Sequence, residues 1–332
     1  MTAKELAKKL NISTAAVSFA LNNKQGVSDK TRQRVLNAAE QYGMNLSKQQ
    51  TKCHERTFCF ILYRREGAVV ADTPFFSQLT EGIERGCKEL GFKLRICYVY
   101  KQEDVVRQLA DITRSDCSGI ILLGTEMTSF DYIPFQRLKT PMVLLDVYFN
   151  TVQHDCILIN NTQGAFLATD YLISRIKSQP GYLHSAYSIA NFGERADGFY
   201  NAVRHHGMST SKCIVHKLTP SVEGACADML ELLEKGEDLA RGYFADNDWI
   251  AIGAMKAFQK KGIKIPEDVS VIGFDNIPAA NYLEPPLTTV NVPKQHMGVL
   301  AVKRLADVLD NGNNSVIKLE IATGLVFGGS VL

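Results

Sequence analysis

At 332 residues, 45% hydrophobic and 22% charged, the chain exceeds one cooperative core and predicts two or three domains of an ordinary globular protein. Its net charge of +2 hides an asymmetry: residues 1–56 hold ten Lys or Arg against four Asp or Glu, so a head of +6 precedes a body of −4. Eight scattered cysteines without a C-x-x-C pair, no basic-then-apolar leader and no run of ~18 apolar residues argue against a disulfide scaffold, a metal site, secretion and membrane insertion, and predict a cytoplasmic protein.

From the N-terminus, Thr2 and Glu5 form a Thr-x-x-Glu capping box, and Leu6, Ala7 and Leu10 give the first helix its apolar stripe. Asn11 tolerates the left-handed conformation that ends a helix, and Ser13 caps the next, so only a tight turn separates the two. At 100° per residue, Ala16, Val17, Ala20 and Leu21 face the first helix while Thr14, Ala15, Ser18 and Asn22 face outward. That face is small and polar, suited to entering a groove where hydroxyls bond base edges or phosphates. Phe19, at its edge, reads equally as a contact for a thymine methyl group and as a ring folded back on the module. A third helix, capped by Ser28, buries Val35, Leu36 and Ala39 and offers Lys30, Arg32 and Arg34 to phosphates.

Residues 44–56 are polar and basic and read as a linker, leaving segments 1–43, 44–56 and 57–332. Beyond it, apolar strands alternate with amphipathic helices: FCFILY, a helix from Ser77, KLRICYVY, a helix from Glu103, GIILLG, PMVLLD, CILIN, a helix after Asn161, and LHSAYSIA over 183–190. A helix from Glu194, CIVHKL, a helix to Lys235, GYFAD, a helix from Asp248, VSVIGFD and a helix from Gln295 complete the run. This is an α/β pattern of parallel sheets in two lobes, with a ligand expected in the cleft at the strands' carboxyl ends.

Those strand ends release Phe75 and Phe76, Arg195, Asn247 with Trp249, and Asp275. Aromatic pairs stack on sugar or base faces, and an arginine forks two hydrogen bonds to one ligand. Taken singly, each also has a structural reading: core for the phenylalanines, a helix cap for Asp248, a loop anchor for Asp275, a partner for Glu194 or Asp197 in the case of Arg195. No G-x-S-x-G elbow, phosphate-cradling glycine loop or H-E-x-x-H motif is present, and His205 and His206 read as solvated, so no enzyme, cofactor or metal is called for.

The chain resembles the LacI/GalR-type bacterial transcription regulators along nearly its whole length. The resemblance is carried by ISTAAVSFALNNKQGVSDKTRQRVLNAAEQYG in the head and by TPFFSQLTEGIERGCKELGF, ERADGF, FADNDWIAIGAMKAFQKKGIKIPEDVSVIGFDNIP and EPPLTTVNVPKQHMG in the body. It implies a three-helix helix-turn-helix head on a two-lobed body similar to periplasmic sugar-binding proteins. It also implies a homodimer on double-stranded operator DNA, and repression of sugar-use genes controlled by a sugar or glycoside effector. On that resemblance Thr14 and Ala15 specify bases, and Ser18, Asn22, Ser28 and Thr31 support them, with Thr2 and Ser13 added to the DNA-facing set. Phe75, Phe76, Arg195, Asn247 and Asp275 match effector contacts, and Trp249 is added beside them. Two departures stand out: MNLSKQQTKC places Cys53 where the family's hinge helix has its wedge leucine, and Phe19 replaces the usual Arg or His. The alternatives are a free-standing solute-binding protein or a sugar-processing enzyme with the same body.

Overall fold

The computed structural model describes residues 2–21, 26–42, 56–70, 73–312 and 315–332. Asn22 and the linker at 44–55 lie outside them. The chain divides into two compact units, Met1–Arg56 and Thr57–Leu332.

The first unit packs α1 (Ala3–Leu10), α2 (Thr14–Leu21) and α3 (Asp29–Gln41) around Leu6, Ala7, Val17, Ala20, Val35 and Ala39. The Thr2–Glu5 capping box is present in both directions, and Asn11 closes α1 at φ 55° with its N–H on the last carbonyls. Ser13 Oγ accepts the Ala16 N–H at 3.0 Å, so α2 starts one short turn later.

The second unit holds two sheets. In chain order its elements are β1 (Thr57–Arg64), α4 (Pro74–Leu90), β2 (Lys93–Tyr100), α5 (Val105–Arg114), β3 (Gly119–Leu123), α6 (Ser129–Tyr132), β4 (Met142–Leu145), β5 (Cys156–Ile159) and α7 (Asn161–Ile176). There follow β6 (Gly181–Ser185), α8 (Ala190–His205), β7 (Val215–Leu218), α9 (Val222–Glu234), β8 (Gly242–Ala245), α10 (Asp248–Lys260), β9 (Ser270–Asp275), β10 (Thr288–Asn291), α11 (Lys294–Asn311), β11 (Lys318–Ile321) and β12 (Gly324–Val326). Among the described residues the first sheet runs β11-β5-β4-β3-β1-β2 and the second β12-β10-β9-β8-β6-β7, parallel except for β10 against β12. Central strands such as β1, between its ends, and β3 are buried apolar runs because helices cover both faces. The chain passes between the lobes three times, after β5, after β10, and between β11 and β12.

The largest departures from the sequence reading are a helix start, a strand end and three unread strands. The helix expected from Ser77 starts at Pro74, whose fixed φ and missing N–H suit a first helical position. LHSAYSIA is not one strand. Ser185 Oγ turns back onto the Tyr187 backbone, accepting its N–H at 3.0 Å and donating to its carbonyl at 2.8 Å, so pairing stops at Ser185 and α8 begins at Ala190. The short strands β10, β11 and β12 were not read at all. They are three or four residues long, and β11 and β12 are only partly buried.

In the first lobe α4 and α11 cross at glycines. A Cβ on Gly82 would stand 2.1 Å from the Gln295 carbonyl oxygen, and one on Gly298 2.5 Å from that of Leu79. Gly82→Ala should therefore force the helices apart and cost about 1–3 kcal/mol, as overpacking does. Urea unfolding of the variant measures it, and an unchanged midpoint would show that the crossing adapts freely.

Candidate functional site

On the first unit, Thr14, Ala15 and Ser18 are exposed side by side on α2, and Thr2, Ser13 and Ser28 are exposed at helix starts. Thr31 is half-buried, its hydroxyl 2.9 Å from that of Ser28. Thr2, Ser13 and Ser28 spend their oxygens on capping N–H groups, so a further role for them runs through the remaining lone pair or hydroxyl proton. Phe19 is 38% exposed, and its ring lies over Gly26, where a Cβ would come within 3.0 Å of it. Of the third helix's cations, Arg34 reaches back to the Leu10 carbonyl at 3.4 Å, and Arg32 reaches the Phe19 carbonyl at 3.4 Å.

On the second unit, Phe75, Phe76, Arg195, Asn247, Trp249 and Asp275 all line one cavity of about 270 Å³ between the lobes. The topology explains the convergence. Each sheet reverses its strand order between β1 and β3 or between β6 and β8, and ligands of open α/β sheets sit outside the carboxyl ends there. The first lobe contributes the loop after β1, the start of α4, Thr125 after β3 and Asp146 after β4. The second contributes the starts of α8, α9 and α10 and Asp275 at the end of β9.

Arg195 is buried at its centre and pairs with neither Glu194 nor Asp197. Its Nε donates to Asn161 Oδ1 at 2.9 Å, Nη1 to the Asp246 carbonyl, and Nη2 to Asp275 Oδ1 at 3.2 Å, while the guanidinium stacks 3.7 Å from the Phe274 ring centroid. Asp275 is held at φ 107°, a backbone that side chains rarely adopt, and Asp146 at φ 61°. Two strand ends of the cavity thus carry left-handed carboxylates. Lys294, also buried, donates to the carbonyls of Asp275 and, at 3.3 Å, Asn276.

Asn247, not Asp248, caps α10: its Oδ1 accepts the Ile250 N–H at 2.9 Å, which leaves the amide NH2 for a ligand. Asp248 is spent on the scaffold, accepting the Ile277 N–H at 2.8 Å and the Thr289 hydroxyl at 2.5 Å. Trp249 packs partly on the second lobe's core. Phe75 and Phe76 meet edge to face, centroids 5.0 Å apart, and serve core and cavity at once.

Sequence reasoning missed three participants. Asp146, quoted only as the end of PMVLLD, accepts from Thr125 Oγ1 at 2.6 Å and, across the cleft, from Asn191 Nδ2 at 2.8 Å. Asn191 lies in the first turn of α8, inside the segment misread as strand and loop. Glu126 is buried behind the loop after β1, and its two oxygens accept the backbone N–H groups of Arg65, Glu66, Gly67, Val69 and Val70 at 2.7–3.2 Å. Burial alone would raise the Glu126 carboxyl, but those N–H donors outweigh it and hold it below the ordinary range.

The cavity carboxyls go the other way. Burial pushes Asp146 up to about 6 against the pull of Thr125, Arg195 and Asn191, and burial together with nearby Asp275 pushes Asp248 up to about 8. Burial likewise raises Asp275. The folded chain therefore holds protons that ordinary aspartates release near pH 4. This contribution to stability is complete below that pH and is lost as pH rises through about 6 and 8. The melting temperature should be higher at about pH 5.5 than at about pH 8.5, and Asp248→Asn should flatten that slope in a calorimetric pH series.

Residues 2–44 match the family model of bacterial regulatory proteins, lacI family, and residues 170–331 that of a periplasmic binding protein-like domain. Over 315 residues the chain is 31% identical to the HTH-type transcriptional repressor PurR of Vibrio atlanticus, covering 92% of this chain and 91% of that one. In fold it is similar to the transcriptional regulator CelR in complex with cellobiose, with a TM-score of 0.72 at 23% identity over 99% of both chains. It is also similar to the lac repressor dimer bound to operator and the anti-inducer ONPF, with a TM-score of 0.69 at 20% identity over 99% of this chain and 98% of that one.

Proposed function

Because this chain belongs to the lacI family of bacterial regulatory proteins, we propose that it is a sequence-specific, DNA-binding transcriptional repressor of sugar-utilisation genes. It is a binding protein, not an enzyme. In this reading a homodimer sets two copies of α2 on a pseudopalindromic operator, with Thr14 and Ala15 reading bases and Ser18, Asn22, Ser28 and Thr31 supporting them. A sugar between the lobes, held by Arg195, Asp275 and Asn247 against Phe75, Phe76 and Trp249, shifts the lobe equilibrium and with it operator affinity. The protein works in the cytoplasm, and no described helix is long and apolar enough to cross a membrane.

One observation carries the reading: the segment matching the family's DNA-binding model exposes Thr14, Ala15 and Ser18 together on the second helix of a compact three-helix unit. The lac repressor structure, a dimer on its operator, supports the dimer and the DNA partner, and the cellobiose complex supports a sugar. The test is fluorescence anisotropy with DNA from upstream of the gene at several salt concentrations. Affinity should fall linearly on a log–log scale with the slope of several phosphate contacts. Undetectable or salt-independent binding sinks the regulator reading.

A further inference from the structure

Phe19 is the one large apolar side chain on the exposed face of α2 among the described residues. Around the helix that face runs Thr14, Ser18, Ala15, Phe19. Thr14 and Ser18, one turn apart, make a hydroxyl stripe. Ala15 and Phe19, also one turn apart, make an apolar stripe beside it. A large ring on a small helical unit ordinarily goes inward, but Phe19 is 38% exposed and stands outside the Leu6, Val17 and Val35 cluster that holds the three helices together.

The ring is nonetheless fixed in place. One edge rests on Gly26, in the connection to α3, where a Cβ would stand 3.0 Å from Cδ2 and 3.2 Å from Cε2. Gly26 has φ 115°, a backbone that side chains rarely adopt, so its conformation and its missing Cβ together make the seat. Arg32 of α3 donates to the Phe19 carbonyl at 3.4 Å and ties down the same turn of α2. A ring held in this way gives up little conformational freedom when a partner covers it.

A helix face entering the major groove meets one apolar group on the base edges, the C5-methyl of thymine. A phenylalanine side chain has no hydrogen-bonding atom, so it cannot take the N7 and O6 of guanine, the N6 of adenine or the N4 of cytosine. Resting on the reading of the head as a DNA reader, we infer that Phe19 is a specificity-determining residue that reads a thymine C5-methyl in each half-site, with Ala15 completing the apolar strip. 5-Methylcytosine carries the same methyl at the same place in the groove and satisfies the same contact. One buried methyl is worth about fourfold in affinity, and the two half-sites of a dimer about fifteenfold together. Selection at that base pair comes from the methyl group, while the hydroxyl stripe serves polar edges and phosphates.

The experiment is fluorescence anisotropy of the full chain on the duplex that it protects from nuclease upstream of its gene. Each thymine is replaced in turn by deoxyuridine, which removes that methyl and nothing else. At one symmetry-related pair of positions affinity should fall about fourfold per half-site, and 5-methyldeoxycytidine there should bind about fourfold tighter than deoxycytidine. Phe19→Ala should bring both ratios to about one. Phe19→Leu, which keeps apolar bulk over Gly26, should about halve them, and it decides the matter if the alanine variant does not fold. Ratios unchanged in these variants, whatever their overall affinity, confine the ring to supporting the α2–α3 connection and overturn the methyl contact. A parent protein indifferent to every thymine replacement overturns it too, and both results leave the regulator reading standing. If no upstream DNA is bound at any salt concentration, the regulator reading falls and the methyl contact with it.

Discussion

Glu126→Ala is expected to lower the melting temperature of the body by about 6–20 °C. The carboxylate accepts five backbone N–H groups from one loop, and hydrogen bonds to a charged acceptor are worth about 1.5–3 kcal/mol each. The loop can turn some of those N–H groups to water, so the net loss should resemble that of breaking a buried charged network, about 3–5 kcal/mol. At about 2–4 °C per kcal/mol for a unit of this size, that gives the stated fall. Because the Glu126 carboxyl is held low, its contribution is present above the ordinary glutamate range and is lost only as acid carries the pH down through its lowered value. Glu126→Gln should be intermediate, since an amide keeps one acceptor oxygen and turns a donor on the remaining N–H groups. Ala68 and Val69 of the same loop line the cavity, so sugar affinity should drop along with stability. A melting temperature within about 2 °C of the parent protein would mean that the loop holds its shape without the carboxylate.

Arg195 should give the largest functional effect. It joins α8, α7 through Asn161, the turn after β8 and the end of β9, and it fixes Asp275 in its uncommon backbone geometry. Arg195→Ala should abolish release of operator by the sugar effector while leaving operator affinity within about twofold, since the head is a separate compact unit. Loss of one partner of a buried pair also costs about 3–5 kcal/mol, so Arg195→Lys is the companion variant. It keeps the charge but cannot span three acceptors with a rigid fork, and sugar affinity should fall at least about tenfold. Either variant releasing operator at the parent protein's sugar concentration would remove Arg195 from the site.

Much of this architecture was legible in the residues because the physics is local. The Thr2–Glu5 box, the left-handed Asn11 and the Ser13 cap are each decided within four residues. Parallel strands such as FCFILY and GIILL announce themselves as unbroken apolar runs because both faces are covered. The cavity residues were readable for a related reason: a parallel strand ends where its apolar run meets Asn, Asp or Arg, and every such end lies on the same side of its sheet. What was hidden depends on partners far along the chain. Glu126 looks like any loop glutamate until the N–H groups of residues 65–70 fold over it. Asp146 closes a strand like its neighbours, and only the meeting of two lobes gives it Asn191. Ser185 stopped a strand through its own side chain, against the propensity of the residues that follow.

The three passages between the lobes also govern how the molecule can be made. The sheet of the first lobe gains its outer strand β11 only after residues 318–321, and α11, whose Met297, Ala301, Val302 and Leu305 complete its core, arrives only after β10 of the second lobe. A chain leaving the ribosome can therefore complete neither sheet until its last strands emerge, β11 for the first lobe and then β12 for the second, and before α11 arrives the first lobe waits as an open sheet whose apolar face and β5 edge are bare. Neither lobe can be excised as a contiguous fragment, and synthesis paused before residue 294 leaves the nascent protein at its most aggregation-prone.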